Sequence, residues 1–64
     1  MSTPSPYAII LDDHPLVGRG MAQYLQSVCP ELSVRTATTW DETLALVQTH
    51  GCPRVLVADV WLAE

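Results

Sequence analysis

Two kinds of apolar pattern alternate along the chain. Tyr7–Leu11 reads YAIIL, a continuous apolar run with adjacent isoleucines. Such a run suits a strand covered on both faces, as in a parallel sheet. Val17, Met21, Leu25 and Val28 then recur at helical spacing, with Tyr24 beside them, which predicts an amphipathic helix. Asp13 or His14 is placed to cap it, Pro15 fits its first turn, and Pro30 ends it. Gly18 and Gly20 each weaken that helix by up to about 1 kcal/mol relative to alanine, so they predict close packing or looseness near the preceding loop. Their surroundings match no phosphate-binding loop. Leu32–Ala37 alternates apolar and polar residues, as a half-exposed strand does. Thr39–Glu42, TWDE, matches a capping box. Trp40, Leu44 and Val47 follow on one helical face, with Leu46 extending it, and Gly51 and Pro53 stop the helix. Trp40 is expected to pack rather than to stack on a ligand. The final run, Arg54–Val60, is again β-branched and apolar, and Asp59 lies at its end.

The order strand, helix, strand, helix, strand predicts a parallel α/β unit with right-handed crossovers. If the third strand pairs with the first, the strand order is 2-1-3 and the helices cover opposite faces. The crevice at the carboxyl ends of strands one and three is then a topological switch point, where open α/β sheets bind ligands. Asp12, Asp13 and Asp59 meet there. Two carboxylates about 4 Å apart repel by roughly 4 kcal/mol at an effective dielectric near 20. A hard divalent cation offsets that repulsion. Mg²⁺ is the natural candidate, because it accepts a few carboxylates, keeps several waters and bridges to phosphate oxygens. His14 is read as a capping or loop residue rather than a ligand.

Sixty-four residues make at most one small domain, which buries only about 60% of its unfolded surface. Cys29 and Cys52 stand in no metal or redox spacing; they predict two free, mostly buried thiols in a reducing cytoplasm. The formal charge of −4 argues against a nucleic-acid grip by this segment itself. No apolar run approaches the roughly 18 residues of a membrane span. Residues 1–6, MSTPSP, have neither the basic nor the apolar region of a signal peptide and predict a disordered tail.

IILDDHPLV at Ile9–Val17, followed by VLVADVWLAE at Val55–Glu64, resembles the first half of a response-regulator receiver domain, which has the flavodoxin-like fold. The likeness runs from Tyr7 to Glu64. Its wording is most similar to receivers that precede a LuxR-type helix-turn-helix output domain. The resemblance implies that Asp59 is the phosphoacceptor, taking a phosphoryl group from a histidine kinase with Mg²⁺. It implies that Asp13 binds the metal directly, that Asp12 binds it or orients one of its waters, and that the Trp61 backbone carbonyl completes the protein ligands. The chain would catalyse at most its own phosphorylation. A receiver has five β/α units. Its switch Ser or Thr on strand four and its Lys on strand five have no counterpart here, and Ala63 stands where many receivers have proline. Residues 7–64 are therefore expected to be a partial receiver, with DNA bound only by an output domain elsewhere in a longer protein. Strand three would be an open apolar edge that invites self-association.

Two other function classes are weighed against this. Haloacid-dehalogenase phosphohydrolases also use a strand-end aspartate and Mg²⁺, but need a second aspartate two residues on; here that position holds Trp61 after Asp59 and His14 after Asp12. A truncated or degenerate receiver would act only as a protein-interaction module, without phosphotransfer.

Overall fold

The computed structural model describes residues 6–59. Most of the expected tail, the end of the last apolar run at Val60, and Trp61 lie outside the described residues. The elements are β1 (Tyr7–Asp12), α1 (Pro15–Val28), β2 (Ser33–Ala37), α2 (Trp40–His50) and β3 (Val55–Asp59). They form a parallel three-stranded sheet in the order β2-β1-β3.

The central strand carries the core. All six residues of β1 are buried, as its unbroken apolar run requires. Alternation divides its side chains between two faces. Tyr7, Ile9 and Leu11 cluster with Ala37, and Leu46 and Val47 of α2 pack against them. Asp12, with Ala8 and Ile10, belongs to the other face, where α1 lies: a Cβ added to Gly18 would stand 3.4 Å from the Asp12 Cβ. Gly18, the buried residue of α1, therefore lies against Asp12. Nothing lies within 4 Å of a Cβ added to Gly20, so that glycine contributes only looseness.

The helix faces differ from expectation. Val17, Tyr24 and Val28 are exposed, while Met21 and Leu25 are half-buried. The cause is where α1 sits. It packs over β1 and β2, and among the described residues neither helix covers β3. Ile10, Val17, Met21, Tyr24, Leu25 and Val57 instead line an open groove of about 470 Å³ between α1 and β3. In α2 the buried stripe is Thr43, Leu46 and Val47, whereas Trp40 and Leu44 are exposed. Thr43 can be buried because its Oγ1 donates to the Thr39 carbonyl, a pairing that satisfies its polar atom. Trp40 is thus not the packing residue expected of it. The third apolar run is likewise an uncovered edge: Val55, Leu56, Ala58 and Asp59 are exposed. Cys52 is exposed as well, with Cys29 half-buried, and both thiols are free.

The helix ends follow local chemistry. His14 occupies the N-cap of α1 but makes no side-chain cap bond, with Pro15 next to it; the expected capping by Asp13 or His14 is not made. Thr39 caps α2 by accepting the Glu42 N–H at 3.1 Å. The reciprocal half of the box is displaced by one residue, since the Glu42 carboxylate accepts from the Thr38 N–H at 2.7 Å and its hydroxyl at 3.1 Å. Gly51 closes α2 with φ of 85°, a conformation that side chains strain. The Tyr7 hydroxyl then donates to the Gly51 carbonyl, and its ring meets His50 edge-on with centroids 5.7 Å apart. No helix among the described residues is long and apolar enough to cross a membrane.

Candidate metal site

β1 runs its apolar course to Leu11 and delivers Asp12 as its last residue, still inside the sheet. Asp12 is 2% exposed. Its Oδ1 accepts the His14 backbone N–H at 2.8 Å. Its Oδ2 is buried with no hydrogen-bond partner among the described residues. Leaving a buried acceptor unsatisfied costs about 1–3 kcal/mol, more when it is charged, so a bound cation would repair a real deficit.

Asp13 and His14 follow on the exposed turn between β1 and α1. The His14 Nδ1 lies 3.0 Å from the Asp13 Oδ1 and 3.7 Å from the Asp12 Oδ1. One ligand atom from each of Asp12, Asp13 and His14 falls within 4.8 Å of the others. This cluster can hold a metal ion. The turn itself assembles it: the Asp12 carboxylate bound to the His14 N–H reverses the chain, and Pro15 keeps His14 extended, at φ −108° and ψ 104°.

Asp59 arrives from the neighbouring strand. It is the direct parallel partner of Asp12, just as Val57 is of Ile10. Partners in a parallel ladder project from the same face, so Asp59 shares the α1 face with Asp12. It is exposed where Asp12 is buried. The structure thus brings Asp12 and Asp13 together as expected and places Asp59 beside Asp12 in the sheet. The clustered third donor is His14 rather than Asp59. The sequence favours a capping or loop role for His14, because adjacency to an Asp-Asp pair does not tell where an imidazole points. The backbone carbonyl of Trp61 lies outside the described residues.

The donors fit a divalent cation. Two carboxylates, one of them buried with a free oxygen, and one imidazole converge at the carboxyl end of β1, next to the point where β2 and β3 lie on opposite sides of it. No protein-family model matches the chain, and no curated protein or solved structure matches it either.

Proposed function

We propose that this chain is the phosphoacceptor portion of a response-regulator receiver, with Asp59 receiving a phosphoryl group from a histidine kinase in the cytoplasm. The observation that supports it best is the Asp12–Asp59 pairing at the strand ends. It sets an exposed carboxylate beside a buried one that lacks a partner. The exposed residue is the one a partner protein can reach.

In this reading an Asp59 carboxylate oxygen attacks the phosphorus of a phosphohistidine. The P–O bond forms as the P–N bond breaks, and the imidazole leaves with the bonding pair and is protonated from solvent. Mg²⁺ bound at Asp13 and, directly or through water, at Asp12 would neutralise charge on the phosphoryl oxygens. Asp12 is held in place by the His14 N–H, so it presents its second oxygen without reorganising. Phosphorylation would control a DNA-binding output domain of the parent regulator. A second copy of the chain is the partner that fits the open edge of β3. The alternative, an interaction module without phosphotransfer, draws on that edge and on the uncovered groove.

Exposure to acetyl phosphate or phosphoramidate with Mg²⁺, followed at once by borohydride trapping and mass spectrometry, tests the proposal. The label should depend on the metal. It should map to Asp59 and vanish in Asp59→Asn. Label on Asp13 or Asp41, or unchanged label in the variant, would overturn it. Absence of label in the full parent protein would favour the interaction module.

A further inference from the structure

His14 is an exposed residue, with 73% of its side chain open to solvent, yet its Nδ1 points back at two carboxylates. Two atoms 3.0 Å apart in this way either share a proton or offer lone pairs to one cation. The neighbouring Asp12 Oδ2, buried and without a partner among the described residues, favours the cation: a proton between His14 and Asp13 would leave that oxygen bare. The spacing agrees. Ligands held at about 2.1 Å on a single ion stand roughly 3–4 Å apart, which spans the 3.0 Å and 3.7 Å separations of Nδ1 from the two carboxylates. The backbone also restricts His14, between the bond to Asp12 and the ring of Pro15.

The donor set discriminates between cations. Mg²⁺ takes oxygen and keeps its waters, and has little use for a nitrogen ligand. Imidazole suits iron, nickel, copper and zinc best, and affinity for a mixed nitrogen and oxygen site rises from Mn²⁺ through Co²⁺ and Ni²⁺. We infer that Asp12, Asp13 and His14 form a cation site in which the His14 Nδ1 is a ligand, so that it holds a divalent transition ion more tightly than Mg²⁺. This rests on the strand-end carboxylates being a cation site, and it adds the nitrogen ligand and the class of ion. Site selection is thus set by one residue on the turn, while Asp12 supplies the buried anchor.

The test uses the full chain with Cys29 and Cys52 both changed to Ser, because free thiols also take soft ions. Mn²⁺ binding is followed by loss of the free-ion electron paramagnetic resonance signal, and Mg²⁺ by competition against it. Zn²⁺ is followed by ring ¹⁵N shifts of His14, with His50 as the internal control. Mn²⁺ should bind about ten-fold or more tightly than Mg²⁺. His14→Gln should weaken Mn²⁺ binding by a larger factor than Mg²⁺ binding, so that the preference falls, and Zn²⁺ should shift His14 and not His50. Equal Mn²⁺ binding by wild type and His14→Gln, or Zn²⁺ shifts at His50 alone, would overturn the inference and leave the Mg²⁺ proposal standing. Mn²⁺ binding that needs His14, with no measurable Mg²⁺ binding, would support the inference and remove Mg²⁺. Binding of neither ion would remove both.

Discussion

Asp12 carries the largest conflict between stability and chemistry in the chain. A carboxylate closes a fully buried strand, and one of its oxygens meets no donor among the described residues. Asp12→Asn keeps an oxygen for the His14 N–H and removes the charge. The metal-free variant should therefore be more stable than wild type, by about 1 kcal/mol or more, as residues kept for function often allow. Thermal melts with and without divalent metal check this. Wild type should gain stability with metal and the variant should not; a less stable variant in metal-free buffer would contradict the assignment. Glu42 offers a test by pH. Its carboxyl is held below the usual carboxylate range, first by the Thr38 N–H, then by the Thr38 hydroxyl, with the Thr39 N–H weakest. The folded value lies below the unfolded one, so its contribution is present above the unfolded value and is lost as pH falls through the folded one. Stability should drop on acidification below about pH 4.5, and Glu42→Gln should flatten that drop in pH-dependent melts. That Asp12 and Asp13 stand together at the end of β1, with Asp59 beside Asp12 on the next strand, was legible in the sequence because carboxylates at the ends of apolar runs stand out. That the His14 ring turns toward the two carboxylates was not, since only the turn geometry reveals which way it faces.

At the scale of elements, the strands and helices were legible and their faces only partly so. Binary pattern locates α1 and α2, because apolar periodicity needs no partner to be seen. It misplaces their buried stripes, because the stripe depends on what lies opposite. Thr43 is invisible to a hydrophobic pattern yet is the buried residue of α2, and Trp40 and Leu44 match the pattern yet face solvent. The local signals fared better. Thr39 caps α2 as its position implies, and Thr39→Ala should cost about 1 kcal/mol, measurable by denaturant unfolding; an unchanged midpoint would show that the Thr38–Glu42 bonds suffice. The two glycines of α1 separate cleanly. Gly20→Ala meets nothing within 4 Å and should stabilise the chain by roughly 0.5–1 kcal/mol through helix propensity. Gly18→Ala makes the same helical gain but sets a methyl group against Asp12, at 3.4 Å from its Cβ. Its effect should therefore appear in metal affinity more than in stability. A Gly20→Ala variant that loses stability would mean that the groove beside it is filled in solution.

For the molecule as a whole, the open apolar edge is the side of β3 turned away from β1. Among the described residues β3 pairs with β1 alone, and no helix packs on it. Its outer row of backbone donors and acceptors is a template for another strand. Val55 and Leu56 are about two-fifths exposed, at 39% and 44%, so the edge is apolar as well as unpaired. A second copy of the chain offers the same edge, and a two-fold axis perpendicular to the sheet can join them antiparallel. That axis leaves each face on its own side. Paired residues must then share a face, which permits Val57 to meet its own copy while Leu56 faces Ala58. Both α1 helices would flank one joined groove, burying the apolar walls formed by Val17, Met21 and Tyr24. Association of this kind stabilises by mass action. The melting temperature should accordingly rise with protein concentration, and sedimentation should show the dimer growing at the expense of the monomer. Leu56→Lys sets a charge on the edge near that axis, the device by which natural edge strands avoid pairing. It should shift the equilibrium toward monomer by about ten-fold or more, since each copy then sets a charge opposite Ala58 of the other and diagonal to its like-charged twin. A monomer that melts cooperatively at a temperature independent of concentration would exclude this pairing. It would mean that β1, enclosed by its two neighbouring strands and both helices, suffices to hold the fold with β3 exposed.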